Sequence, residues 1–226
     1  MELKTLLEKV LLEIGFMSTR LTKKKRLDAF FNLIKPTPII VELIRLGGQG
    51  DGGYLVPNDL ENIEACFSPG VSTVADFEEE ISKYGIKSFM IDYSVDSAPH
   101  YNPLFDFEKK WLGIGDGTEF IRLEDWVYEK CPDSTGDLML QMDIEGAEFE
   151  LVPAIAPWLE KHRPVLYLST HAPHLPESQR RQALTRITES LDFYPRVEDG
   201  RGCETDSLGV VTAGLKDYEE FLFLPG

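Results

Sequence analysis

From about residue 62 onward, short apolar runs alternate with longer segments of helical periodicity. The apolar runs are Ala65-Cys66-Phe67, Ser88-Phe89-Met90-Ile91, Trp111-Leu112-Gly113-Ile114, Leu138-Met139-Leu140-Gln141-Met142 and Val165-Leu166-Tyr167-Leu168. Helices are expected near 75–84, 119–130, 147–162 and 177–191. Strands of this apolar kind are buried on both faces, and strands separated by helices pair in parallel. The pattern predicts an α/β fold with a mostly parallel sheet. Near the end of the chain, Leu208-Gly209-Val210-Val211 and Glu220-Phe221-Leu222-Phe223-Leu224 are joined by only a short connection. A parallel crossover needs a dozen or more residues, so an antiparallel C-terminal strand closing the sheet is expected.

The N-terminal part reads differently. Leu3, Leu6, Leu7, Val10, Leu11 and Ile14 recur at helical spacing up to Gly15. A second helix is expected over about 22–34, ending before Lys35-Pro36-Thr37-Pro38. Those prolines divide a helical extension, 1–35, from an α/β domain, 36–226.

Charge narrows the partners. The chain has 226 residues, with 23 Lys and Arg against 39 Asp and Glu, a net charge of −16. Residues 1–50 sum to +4, mostly through Arg20, Lys23, Lys24, Lys25 and Arg26, and the remainder sums to −20. An acidic domain repels phosphate backbones, so no nucleic-acid partner is expected. The three cysteines, Cys66, Cys131 and Cys203, have no zinc-ligand spacing and cannot all pair internally. Reduced thiols, no visible secretory signal and no apolar run long enough to span a bilayer lead to a cytoplasmic expectation.

Gly48-Gln49-Gly50-Asp51-Gly52-Gly53 matches the GxGxxG pattern of dinucleotide-binding turns. That use requires a helix to open at the glycines, yet Tyr54-Leu55-Val56-Pro57 follows, and Pro57 disfavours helix at Val56. A hairpin turn, or a loop lining another ligand's pocket, fits better.

A stronger cofactor site begins at Cys66-Phe67-Ser68-Pro69-Gly70-Val71-Ser72-Thr73, a strand and small-residue turn leading to a helix. The acids Asp76, Glu78, Glu79 and Glu80 would repel a pyrophosphate there but tolerate a zwitterionic or cationic ligand. Asp92 ends the next strand, where an acid typically holds ribose hydroxyls. Asp143 and Glu145 follow the fourth strand, and Gly146 lets the chain turn before Ala147 and Glu148 begin a helix. Glu148 also suits the helix dipole. Ser169-Thr170-His171 ends the fifth strand on the same rim, and an imidazole there, with its ordinary pKa of about 6.5, is a candidate general base or a structural histidine.

Met142-Asp143-Ile144-Glu145-Gly146-Ala147-Glu148 resembles the signature of FkbM-type S-adenosylmethionine-dependent methyltransferases. Arg45 with Gly50-Asp51-Gly52-Gly53-Tyr54-Leu55-Val56-Pro57 is similar to an upstream motif of one branch of that family. Ser68-Pro69-Gly70-Val71-Ser72, followed by Phe77-Glu78, resembles the branch's motif I, although one glycine stands where a GxG-type turn is common. The matches run in family order over about residues 45–224. The resemblance implies a class I Rossmann-like methyltransferase fold, S-adenosylmethionine as cofactor and O-methylation, often of sugar hydroxyls. It implies that Ser68 and Gly70 border the methionine part, that Asp92 binds the ribose, and that Asp143 and Glu145 lie near the sulfonium and the acceptor. Asp51, Gly53 and Tyr54 would close over the cofactor.

On this reading the catalytic candidates are His171, Asp143 and Glu145. Either His171 or Asp143 takes the acceptor's proton, and Glu145 orients the hydroxyl. Base-N-methylating enzymes of this fold carry an Asn-Pro-Pro-Tyr-like turn where Asp143-Ile144-Glu145-Gly146 stands, which turns the acceptor expectation to a sugar, nucleotide sugar or secondary metabolite. Asp143, Glu145, His171 and His174 also present metal-ligand atoms along one rim. Pro173 spoils His171-x-x-His174 as a helical ligand pair, so a divalent metal is not expected. The alternatives are a metal-dependent hydrolase and a non-catalytic cofactor-binding scaffold.

Overall fold

Four of the five apolar runs, all but Trp111–Ile114, are buried throughout, and strands of that kind need cover on both faces. In the computed structural model the chain divides into two units, Met1–Ile34 and Lys35–Gly226. The structure describes residues 25, 42–48, 52–171, 177–191, 196–197 and 218–223. The first expected N-terminal helix, all of the second but Lys25, which is helical, the strand expected at 208–211, Asp51 and His174 lie outside these residues.

The elements of the second unit begin with an antiparallel hairpin, β1 (Leu43–Gly47) and β2 (Gly53–Pro57). Next come β3 (Ile63–Pro69), α1 (Asp76–Ser82), β4 (Lys87–Ile91), β5 (Phe105–Glu108), β6 (Trp111–Leu112), β7 (Phe120–Ile121) and α2 (Leu123–Lys130). The chain continues through β8 (Asp137–Met142), α3 (Glu148–His162), β9 (Val165–His171), α4 (Glu177–Ser190), β10 (Arg196–Val197) and β11 (Tyr218–Phe223).

Among the described residues, seven strands form the main sheet in the order β10-β11-β9-β8-β3-β4-β5. The run from β9 to β5 is parallel, and β11 lies antiparallel to both β9 and β10. This is the mostly parallel, Rossmann-like α/β sheet with an antiparallel C-terminal strand that the sequence pattern anticipates, although the partners of that strand are β9 and β10 and the expected pairing with 208–211 lies outside the described residues. The strand order reverses beside β3, where the chain passes outward through β4 and β5 and later returns to lay β8 on the other side. A crevice opens at such a switch point, outside the carboxyl ends of the strands.

Two apolar layers cover the sheet. On one face Leu46, Tyr54 and Val56 of the hairpin and Phe77 and Ile81 of α1 pack with Cys66, Met139 and Tyr167. On the other, Phe67 stacks on Phe89 at 5.1 Å and meets the buried Trp126 of α2 edge-on at 4.9 Å. Helix α3 buries Leu151, Val152, Ile155 and Leu159, a 3.6-residue stripe. That stripe carries the helix through Pro153 and Pro157 on its more open side, although each interior proline costs roughly 3 kcal/mol.

Two expectations are corrected. Trp111-Leu112-Gly113-Ile114 is not a main-sheet strand: Trp111 and Leu112 pair instead with Phe120 and Ile121 in a separate parallel ribbon. Gly113 and Gly115 leave room for the Phe120 ring, and a β-carbon at Gly113 would lie 2.8 Å from it. The sheet edge is β5, whose Phe-Asp-Phe-Glu alternation conceals it among charged residues. Its Asp106 is neutralised by Lys87 and Lys130 at 3.4 and 3.1 Å. Because Phe120 and Ile121 are extended, α2 begins at Leu123 instead of near 119.

Candidate functional site

The β3–α1 turn and the β8–α3 turn meet at the switch point. Gly70 follows β3 with φ of 89°, and a β-carbon there would lie 1.8 Å from the Asp143 carbonyl oxygen. Only glycine accommodates both constraints. The two turns are also tied directly, since the Asp143 N–H donates to the Pro69 carbonyl at 3.4 Å. Ser72 and Glu145, one in each turn, have left-handed backbones with φ of 49° and 55°. Non-glycine residues held so carry about 1–3 kcal/mol of strain each, and such strain gathers at functional sites.

Two cavities adjoin over these turns and share Gly70, Ser72, Asp143 and Glu145 in their walls. The larger, about 410 Å³, runs toward β4 and the β6–β7 ribbon and is walled by Ile91, Asp92, Trp111, Leu112 and Phe120. The smaller, about 240 Å³, runs toward the hairpin and α1, with Gly52, Tyr54, Asp76, Glu78 and Gln141 in its wall.

Asp92 is nearly buried, and its carboxylate is fixed from both sides. The Ser72 N–H donates to Oδ2 at 2.8 Å and the Ser94 N–H to Oδ1 at 2.7 Å. Each oxygen of a carboxylate has further acceptor capacity, so the group can also receive hydroxyls from the cavity.

Asp143 and Glu145 owe their positions to Glu148. This residue is fully buried at the start of α3, where its Oε1 accepts the Ile144 N–H at 2.6 Å and Oε2 the Gly146 N–H at 2.7 Å. The carboxylate bridges both sides of Glu145 and holds its left-handed backbone. Burial pushes Glu148 up to about 7, against those two hydrogen bonds, which favour the charged form. Tyr54 reaches the same place from β2: its hydroxyl donates to Asp143 Oδ2 at 3.5 Å, and its ring packs 4.1 Å from Tyr167 and 5.2 Å from Phe77.

No family model matches the chain, and no curated protein matches it. Among solved structures it is similar to the crystal structure of methyltransferase FkbM from Methylobacillus flagellatus KT. The identity is 15% and the TM-score 0.43, over 72% of this chain and 44% of that one. The chain thus spans less than half of that protein's length.

Of the residues singled out from the sequence, Tyr54, Gly70, Asp92, Asp143 and Glu145 wall the cavities. Ser68 and Gly53 do not. Ser68 is buried behind the smaller cavity. Gly53 closes the hairpin, where a β-carbon would lie 1.8 Å from the Gly48 carbonyl oxygen. Its neighbours Gly52 and Tyr54 face the cavity instead, and no helix opens after the glycines. His171 ends β9 opposite Tyr218 of β11, three residues beyond the Leu168–Met142 pair; its side chain is not among those described. Among the described residues, no group of three His, Cys, Asp or Glu side chains is placed to hold a metal ion, and no helix is long and apolar enough to cross a membrane.

Two residues of this site were missed as functional candidates. Glu148 was legible as the last residue of the Met142–Glu148 signature and as a dipole-favouring acid, but not as a bridge, because the amides it binds are defined by the turn. Glu78 was legible as one acid in a run and as part of the motif I resemblance, but not as a buried group, because its burial depends on how α1 packs. The signal for both was an acid inside an otherwise apolar helical face.

Proposed function

We propose that this protein is an S-adenosylmethionine-dependent methyltransferase acting on a hydroxyl of a small molecule, a sugar, nucleotide sugar or secondary metabolite. The observation that carries this reading is the pair of adjoining cavities at the switch point, one aromatic-walled with a fixed carboxylate, the other lined by carboxyl groups. The donor set suits the cofactor. Trp111, Phe120, Leu112 and Ile91 offer an apolar slot for an adenine, and Asp92 offers acceptors for ribose hydroxyls. Gly70, lacking a β-carbon, lets a ligand approach the backbone.

When bound, S-adenosylmethionine supplies a methyl group already activated by its positively charged sulfur. The chain's residues then have two tasks, alignment and proton removal. Asp143 and Glu145, at the junction of the cavities, attract a cationic centre through short-range charge. The same carboxyl groups would attract a neutral thioether less than a sulfonium, so they would favour the cofactor over its product. Asp143 or His171 takes the acceptor's proton, and Glu145 orients the hydroxyl. Division of the chain near residue 35 leaves 36–226 as the methyltransferase domain.

The test is a thermal-shift titration with S-adenosylmethionine, S-adenosylhomocysteine and NAD⁺, each with and without EDTA. A ligand that binds only the native state raises its transition by mass action. A shift with the two adenosyl compounds and none with NAD⁺ is expected, unchanged by EDTA. No shift at millimolar concentrations of either adenosyl compound overturns the reading. With the cofactor established, turnover of sugar acceptors by His171→Ala assigns the base, since undiminished turnover removes His171 from that role.

A further inference from the structure

Glu78 has no part in the mechanism above, and its position is costly. It lies in the first turn of α1, is 3% exposed, and still forms part of the smaller cavity's wall. Behind it stands the buried Ser68 hydroxyl, hydrogen-bonded to the carboxyl group, and behind that the Cys66 thiol, whose sulfur is 3.7 Å from the Ser68 oxygen. A buried charge without a counter-ion is unfavourable, and the other buried residues of this helix, Phe77 and Ile81, are apolar. The Ser68 hydroxyl is a neutral partner, so the ionised carboxyl group needs a cation for the position to be useful.

The cavity indicates the partner's charge. Apart from the Tyr54 phenol, its ionisable wall residues among those described are Asp76, Glu78, Asp143 and Glu145, all carboxyl groups. At about 240 Å³ the space suits a short tail, and it continues into the larger cavity past Gly70 and Ser72. A ligand spanning both would carry a nucleoside at one end and a small cationic group at the other.

We infer that Glu78 receives the ammonium group of an amino-acid tail attached to the nucleoside, with the Ser68 hydroxyl holding the carboxyl group in place. This rests on the proposed adenosyl cofactor and names the residue that selects for its amine. Burial raises Glu78 and outweighs the hydrogen bonds from Ser68 and from its own backbone amide, which favour the charged form, so without a cation the group resists ionisation. An ammonium at the cavity wall supplies the missing charge.

The test compares dissociation constants for S-adenosylhomocysteine, its analogue lacking only the α-amino group, and 5′-methylthioadenosine, which lacks the whole tail. On the wild-type protein the deaminated analogue is expected to bind at least tenfold more weakly than S-adenosylhomocysteine. Glu78→Gln is expected to lose tenfold or more in affinity for S-adenosylhomocysteine while its affinity for 5′-methylthioadenosine stays within twofold. Equal binding of S-adenosylhomocysteine and its deaminated analogue by the wild type overturns the inference without needing the variant. Equal weakening of S-adenosylhomocysteine and 5′-methylthioadenosine in Glu78→Gln also overturns it, since that is the mark of a structural residue. In both cases the adenosyl site itself survives. Failure of the wild type to bind any of the three overturns the methyltransferase reading together with this one.

Discussion

The α-carbon of Gly70 faces the carbonyl oxygen of Asp143 so closely that a β-carbon at residue 70 would lie 1.8 Å from it. This contact sets the separation of the two turns and therefore the shape of both cavities. Gly70→Ala must move one turn and also hold a left-handed φ of 89°. The expected outcome is a loss of about 2–4 kcal/mol in stability, read by urea unfolding, with ligand-induced thermal shifts abolished. Wild-type stability in this variant would show that the turns separate freely.

Glu148 is expected to control geometry more than ligand affinity. In Glu148→Gln one of the Ile144 and Gly146 amides faces an NH₂ group in place of an oxygen, at a cost of about 1–3 kcal/mol. The Glu145 backbone relaxes from its left-handed conformation. Turnover at pH 8 should fall about tenfold or more, with the dissociation constant for S-adenosylhomocysteine nearly unchanged. A loss confined to affinity would contradict the bridging role.

The same residue makes stability depend on pH. Its folded-state pKa, about 7, is raised above the ordinary value of 4.5. The folded protein therefore holds the proton more tightly than the unfolded chain. The contribution is complete below about pH 4.5 and is lost as pH rises through 7, amounting to about 3 kcal/mol at about 1.4 kcal/mol per unit. Glutamine does not titrate, so the stability advantage of the wild type over Glu148→Gln should shrink by about that amount between pH 4.5 and 8. Denaturant titrations at four or five pH values measure the difference, and a constant gap would mean that Glu148 ionises normally.

Asp92→Asn separates a fixed acceptor from a neutral amide of the same size. One of the Ser72 and Ser94 N–H groups then loses its acceptor, and stability should drop by about 1–3 kcal/mol. Affinity for any ligand with a ribose should fall by tenfold or more in isothermal titration. Unaltered affinity for adenosyl compounds would remove Asp92 from the ribose role.

Tyr54→Phe retains the ring against Tyr167 and Phe77 and removes only the hydroxyl that reaches Asp143. Stability is expected to change by no more than about 1 kcal/mol, because a single long hydrogen bond is lost. A decrease of several-fold in kcat/KM would place the hydroxyl in the work of Asp143, and an unchanged value would leave Tyr54 a packing residue.

The sequence alone determined the elements whose signal is local. Val165–Leu168 is apolar throughout and Leu138–Met142 is apolar but for Gln141, and a strand buried on both faces is the economical use of such runs. Asp92 and Asp143 were legible as site residues because strand ends in a parallel sheet open onto a shared crevice. The hairpin after Leu43 was legible because Pro57 and the glycines oppose a helix. Tertiary structure decided what depends on neighbours distant in sequence. Phe105–Glu108 is a strand because Lys87 and Lys130 neutralise its Asp106 and because Phe105 and Phe107 find apolar partners in Val71, Ala75 and Met90. Trp111 and Leu112 leave the main sheet because that edge is already taken. The burial of Glu78 and the amide bridge of Glu148 were hidden for the same reason: a carboxyl group acquires its burial, its partners and its proton affinity from the packing around it, and none of these is a property of the local sequence.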